Sequence, residues 1–289
     1  MNIESTLIRA IKKLKNFNIS NPYLDSEVLL SKVINKDRKY IFLNNKKNLT
    51  NKFVNNYFKL IERRKDGEPV AYLTHKKDFW NHTFYVDKNV LIPRPDTELV
   101  IEEILKIFSK QKQLNVLDIG TGSGCILLSI LKERPNFYGV GIDISNKSIK
   151  VSKYNAKMLQ LKNKVKFYHS DVDNFKIGKY DLIVSNPPYI NFPVLKYLDK
   201  DVVNFEPKIA LDGGFDGISK IIDKRSHGGG IGFDREVVSK DNNIYNMPIF
   251  IYTAVTIDGK SKHGKIDAAT KKQALSQLQS QSLYLPILI

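Results

Sequence analysis

The chain holds a single cysteine, Cys125, which excludes an internal disulfide framework and any multi-cysteine zinc site. Its five histidines, His75, His82, His169, His227 and His263, are scattered without metal-ligand spacing, so no metal centre is expected. No run of 18 apolar residues occurs, which argues against a membrane-spanning helix and against membrane insertion. The amino-terminal stretch of residues 1–16 lacks a signal-peptide core, because charged residues interrupt its apolar positions, and a cytoplasmic protein is the expectation. Acidic residues are outnumbered: 46 Lys and Arg against 30 Asp and Glu give a formal net charge of +16. A field of that sign attracts nucleic acid or a nucleoprotein, but the lysines are dispersed rather than gathered in one block, as on an ordinary solvated surface.

What is present is enough for a globular protein. The 289 residues are 42% hydrophobic and suggest about two domains. Residues 1–75 read as three amphipathic helices. Ile3, Leu7, Ile11 and Leu14 share one face. Asn21-Pro22 opens a second helix with Leu24, Val28, Leu29 and Val33 facing inward, and Thr50 caps a third that carries Phe53, Tyr57, Leu60 and Ile61 and ends near Gly67. Residues 76–92 read as a connecting hairpin around Asn81-His82. In Pro93-Arg94-Pro95-Asp96-Thr97, two prolines hold the chain extended before Asp96 or Thr97 caps a helix over 98–108. Strands then alternate with helices over 114–185, which predicts an α/β fold with a parallel sheet, helices on both faces, and ligands beyond the carboxyl ends of the strands. The α/β domain so delimited runs over 93–225. Lys224-Arg225-Ser226-His227-Gly228-Gly229-Gly230 opens a linker over 226–246, and 247–289 reads as a separate ββαβ unit with a turn at Asp258-Gly259.

Two motifs carry chemistry. The first is Asp118-Ile119-Gly120-Thr121-Gly122-Ser123-Gly124, where glycines let the backbone pass close to a ligand. Asp143 follows nineteen residues after Gly124, at a second strand end, where a carboxylate accepts both hydroxyls of a ribose. The G-x-G-x-G spacing, rather than G-x-G-x-x-G, tilts away from a dinucleotide. The second motif is Asn186-Pro187-Pro188-Tyr189, directly after a strand. A planar amide nitrogen is a poor nucleophile because its lone pair is delocalised. An asparagine carbonyl and the next backbone carbonyl accept its two N–H groups and hold the lone pair toward a methyl donor. Proline adds no competing donor, and Tyr189 offers a flat face to the substrate's planar group. Together the motifs point to an S-adenosylmethionine-dependent N-methyltransferase.

At these residues the chain resembles the release-factor glutamine methyltransferases (the HemK/PrmC family) over residues 1 to about 222. The likeness rests on Gly67-Glu68-Pro69-Val70-Ala71-Tyr72-Leu73, Val90-Leu91-Ile92-Pro93-Arg94-Pro95-Asp96-Thr97-Glu98, the two motifs, and Ala210-Leu211-Asp212-Gly213-Gly214 with Asp216-Gly217. The resemblance implies a Rossmann-like methyltransferase domain behind a helical substrate-recognition domain. It implies S-adenosylmethionine as cofactor and the glutamine of a Gly-Gly-Gln loop in class 1 peptide-chain release factors as substrate, giving N5-methylglutamine. It also implies that Gly120, Thr121, Gly122, Ser123, Gly124, Asp143, Asp171, Val172 and Asn186 hold the cofactor. Asn186, Pro187, Pro188 and Tyr189 would form the amide pocket, with Asn186, Pro187 and Tyr189 catalytic. The family's aromatic residue near the adenine is replaced here by Val172. Arg94 and Glu98 are candidates for closing the site or for a structural salt bridge.

After about Arg225 the family pattern stops. Residues 247–289 instead resemble the start of type II secretion F (PilC-like) proteins, through Met247-Pro248-Ile249-Phe250-Ile251-Tyr252-Thr253-Ala254-Val255 and Asp258-Gly259-Lys260. A fusion or frameshift junction is the expectation, with a sheet edge left uncovered where the last strands are missing. Two competing readings follow: a DNA adenine or RNA base methyltransferase using the same asparagine geometry, and an inactive fused protein.

Overall fold

The structure, a computed structural model, describes residues 1–108, 112–186, 200–211, 249–256, 261–267 and 283–288. It divides into two compact units.

The first unit is helical and comprises Met1–Lys77, Val86–Lys88 and the segment containing a late helix. Helices α1 (Ile3–Asn16), α2 (Pro22–Ile34), α3 (Arg38–Leu43), α4 (Asn51–Lys65) and α5 (Val70–Thr74) bury Ile3, Leu14, Leu29, Leu30, Tyr57 and Ile61 against one another. Each such side chain contributes roughly 1.5–3 kcal/mol. Thr50 caps α4 as expected, its side chain accepting from Phe53 N–H. Leu24, expected inside, is exposed; Asp25 turns inward instead, because buried Arg64 stands there and donates to its carboxylate at 2.7 Å. Arg64 also donates to the Gly67 and Glu68 carbonyls and, at 2.8 Å, to Asp201 of the late helix (Lys200–Phe205). Four acceptors on one guanidinium make its burial tolerable.

The second unit holds the hairpin β1 (Lys77–Phe79) and β2 (His82–Phe84), then a 3₁₀ turn Pro95–Thr97 leading into α6 (Glu98–Ile107). Neither Asp96 nor Thr97 caps α6 with its side chain: the 3₁₀ turn feeds the helix directly. Strands β3 (Asn115–Ile119), β4 (Tyr138–Asp143), β5 (Val165–His169) and β6 (Leu182–Ser185) form a parallel sheet in the order β5-β4-β3-β6. Helix α7 (Cys125–Glu133) joins β3 to β4, and α8 (Asn146–Met158) joins β4 to β5.

Strand alternation separates two apolar layers. Val116, Phe167, Leu182 and Val184 pack with Ile101 and Ile104 of α6, Leu127 and Leu128 of α7, and Ile149 and Ala156 of α8. Leu117 and Ile142 pack instead with Phe175, Val172 and Tyr180. So helices were expected on both faces, but among the described residues α6, α7 and α8 all lie on one. Successive βα units that step in one direction across a sheet place their helices on one side, by the right-handed crossover. The stretch Val172–Tyr180 covers the other.

Residues 212–248, including the expected linker 226–246, lie outside the described residues, as do 187–199. Near the carboxyl end, β7 (Ile249–Thr256) pairs antiparallel with β8 (Ser261–Asp267) and with β9 (Leu283–Leu288). They form a sheet of their own, order β8-β7-β9, so among the described residues β6 is the last strand of the parallel sheet. The expected helix between β8 and β9 lies outside the described residues.

Candidate active site

Register brings the two motifs together. Strands β3 and β6 are parallel neighbours, with Ile119 opposite Ser185, so the next residues, Gly120 and Asn186, leave the sheet side by side. Ser185 Oγ ties the two ends by donating to the Ile119 carbonyl at 2.9 Å. Adjacent strands lie about 4.8 Å apart. This is the carboxyl edge of a parallel sheet, where such folds bind ligands.

The glycine turn is held from within. Gly120 N–H and Thr121 N–H both donate to the Ile142 carbonyl, at 2.9 and 3.0 Å, and Gly124 N–H donates to the Thr121 carbonyl at 2.7 Å. Thr121 Oγ1 donates to Asp118 Oδ2 at 2.7 Å. Gly120, Gly122 and Gly124 all have positive φ. A methyl group at Gly124 would meet Leu128 Cδ1 at 3.0 Å and Ser152 Cβ at 3.3 Å, whereas one at Gly120 would meet nothing within 4 Å. Gly124 therefore serves packing, and Gly120 fronts open space.

Asp143 ends β4 facing this turn. Its Oδ2 accepts from Gly122 N–H at 2.9 Å and its Oδ1 from Ser145 N–H at 2.8 Å. Each oxygen keeps lone-pair capacity for one more donor. Burial raises its pKa, and the two backbone donors oppose the rise. Asp118 is fully buried, and burial pushes its carboxyl up to about 7 against the pull of the Thr121 hydroxyl. Its Oδ1 has no hydrogen-bond partner among the described residues. Cys125 lies beside the turn, its thiol pushed up to about 12 by burial, which makes it a packing residue rather than a nucleophile.

Asn186 shows the same orphaned chemistry. Its Oδ1 is buried and without a hydrogen-bond partner among the described residues, while its Nδ2 lies 3.5 Å from Thr97 Oγ1. Thr97 thus biases the carboxamide so that the amide nitrogen faces the buried hydroxyl and the oxygen points away from it. Sequence reading assigned Thr97 to helix capping and missed this contact; its place in the Pro93–Glu98 stretch was the available signal.

The remaining expected site residues divide. Asp171 accepts from Asn174 N–H and Nδ2, both at 2.8 Å, so its carboxylate holds a local turn. Val172 packs on the Leu117, Ile142 and Phe175 layer. Pro187, Pro188 and Tyr189 lie outside the described residues. Glu98 accepts the Trp80 backbone N–H at 2.8 Å and so pins the connecting hairpin.

These residues fit the cofactor the motifs imply. S-adenosylmethionine carries a sulfonium, an ammonium and a ribose diol, which acceptors serve, and a carboxylate, which backbone N–H groups can serve. The turn supplies the spare lone pairs of Asp143 and open space before Gly120. Among the described residues no group of three metal-ligating side chains is found, and no helix is long and apolar enough to cross a membrane.

Comparison with known proteins agrees with this reading. Residues 5–74 match the model of the PrmC N-terminal domain, and residues 97–197 that of the methyltransferase small domain. Residues 247–287 match the type II secretion system protein F, N-terminal domain. The chain is similar to the release factor glutamine methyltransferase of Buchnera aphidicola (subsp. Baizongia pistaciae), 43% identical over 76% of this chain and 79% of that protein. The one from Caulobacter vibrioides is 38% identical over 72% of each. That of Clostridium acetobutylicum is 40% identical over 75% of this chain and 78% of its own length.

Proposed function

The chain belongs to the release factor glutamine methyltransferase family, and from that premise we propose how its site works. It is an S-adenosylmethionine-dependent methyltransferase whose substrate is a release-factor glutamine. When bound, the cofactor supplies a methyl group on a cationic sulfur. The reaction breaks the sulfur–methyl bond, forms a nitrogen–methyl bond, and releases one proton from the substrate nitrogen.

The chain's own residues answer three needs. Asp143 takes the ribose hydroxyls on its spare lone pairs, and its carboxylate favours the cationic cofactor over the product that has lost the sulfonium charge. Asn186 Oδ1 accepts one N–H of the glutamine amide, and the carbonyl of Pro187 accepts the other. As the nitrogen becomes tetrahedral and its N–H groups gain positive charge, both bonds strengthen, which is transition-state stabilisation in the strict sense. Holding the nitrogen in line with the methyl group supplies the rest. Pro188 and Tyr189 wall the amide. The finer assignments, a Gly-Gly-Gln loop, class 1 release factors and recognition through the helical unit, follow the family resemblance.

The observation that carries this reading is the Asn186 oxygen, buried and without a partner among the described residues, one residue past the β3–β6 register that sets it beside the glycine turn. The test is transfer of labelled methyl to release factor, DNA and RNA offered in parallel. Label on release-factor glutamine is expected. Label on a base, with none on protein, would give the site to nucleic acid instead.

A further inference from the structure

Helix α8 presents a buried polar face where an apolar one is usual. Ser148, Ser152 and Asn155 repeat at helical spacing and are at most 5% exposed. Ser148 Oγ donates to the Asn89 carbonyl at 3.0 Å, and Ser152 Cβ backs onto the close approach at Gly124.

Asn155, 1% exposed, uses its whole carboxamide. Its Oδ1 accepts from Tyr85 N–H at 2.7 Å, and its Nδ2 donates to the Tyr85 carbonyl at 3.0 Å, so the side chain pairs with the connector as a neighbouring strand would. The second Nδ2 proton goes to the Ser123 carbonyl, in the glycine turn, at 2.9 Å. One amide therefore joins the turn to the segment that follows the β1–β2 hairpin. That hairpin is fastened at its other end by Trp80, whose backbone N–H reaches Glu98 and whose Nε1 reaches Glu133, each at 2.8 Å.

We propose that Asn155 is a positioning residue of the cofactor site: it fixes the Ser123 carbonyl, and through it the glycine turn, and couples that turn to the connector at Tyr85. The proposal rests on the methyltransferase reading above. A two-ended hydrogen-bond clamp has one arrangement that satisfies all three backbone groups. Any shift of the turn must break a buried bond or move Tyr85 with it. Ordering the turn around a ligand thus orders the connector, and loosening the connector weakens the ligand.

The test uses the full chain and S-adenosylhomocysteine as the calorimetric probe. Asn155→Asp keeps the size and the acceptor for Tyr85 N–H but loses both donated bonds. It is expected to bind the probe about tenfold more weakly, with an unchanged KM for release factor. Ser148→Ala cuts only the tie to Asn89 and is expected to leave the affinity unchanged. A purely structural role would lower Tm in both variants and move neither affinity, and a folded Asn155→Asp protein that binds like wild type overturns the proposal. Should that variant not fold, wild-type hydrogen exchange decides: saturating probe must slow exchange of the Tyr85 amide, and an unchanged rate overturns the coupling. A wild-type chain that fails to bind the probe at all sinks the methyltransferase reading itself, a result distinct from failure of Asn155 alone.

Discussion

The glycine turn after β3 and Asn186 after β6 leave the sheet as neighbours and differ in how far their polar groups are already paired. After β3, the turn Gly120–Gly124 satisfies its polar groups internally: two N–H groups on one carbonyl, a hydroxyl on Asp118, a carbonyl on Asn155. After β6, Asn186 keeps its carbonyl oxygen buried and unpartnered among the described residues. An unmade buried hydrogen bond costs about 1–3 kcal/mol, so it persists where something else is gained. The lesson is a division of labour. The cofactor side is largely built in advance, with Asp118 Oδ1 left over among the described residues, and the methyl-acceptor side keeps the Asn186 oxygen for an N–H that the substrate brings.

The sharpest way to break this contrast is Asn186→Ala. It should lower kcat for release-factor methylation by about 10²–10³-fold, the cost typical of deleting one preorganised electrostatic partner, while cofactor affinity changes little. Loss of both in equal measure would place Asn186 on the cofactor side instead.

The glycine turn itself offers a finer test, because its glycines do different jobs. At Gly120 an added methyl enters open space at φ +72, and at Gly124 it meets Leu128 and Ser152 at φ +80. Gly120→Ala should cost cofactor affinity by tenfold or more, beside about 1–2 kcal/mol of left-handed strain that an alanine at either position carries. Gly124→Ala should mainly cost stability, by about 1–3 kcal/mol from strain and overpacking. Calorimetric binding and chemical denaturation measured on both would collapse the distinction if the two variants behaved alike.

A further test lies in pH dependence. Burial raises Asp118 from its ordinary value to about 7, so the folded chain binds this proton more tightly than the unfolded one. The sign follows: its contribution to stability is present at low pH and falls as pH rises from the ordinary carboxylate range toward 7, then stays level. Asp118→Asn should remove that fall. Denaturation midpoints of both proteins between pH 4 and pH 8 check it, and parallel curves would contradict the burial argument. The same site should show tighter binding of the cationic cofactor than of its neutral product at pH 8.

Much of this was legible in the sequence, and the physical reasons for what was not are specific. The βα alternation and the glycine run were readable because period-2 and period-3.6 patterns are local. The side-by-side exit of Gly120 and Asn186 was not, since it depends on the β3–β6 register, set across 66 residues of chain. Asp25 and Leu24 show the opposite failure: hydrophobicity favoured Leu24, and a buried guanidinium 39 residues away decided for Asp25. Thr97 and Asn155 were missed for one reason. A small polar residue in or before a helix reads as a cap or a surface position, and only coordinates show it bonded to a distant backbone or amide.

The central claim is that the Asn186 oxygen waits for the amide of a release-factor glutamine. Peptide mass spectrometry of release factor, after incubation with S-adenosylmethionine and either the wild-type chain or Asn186→Ala, tests it most directly. The account predicts one added methyl group on the glutamine side chain with wild type and almost none with a variant that still binds cofactor. A fully methylated glutamine from the Asn186→Ala protein would contradict it.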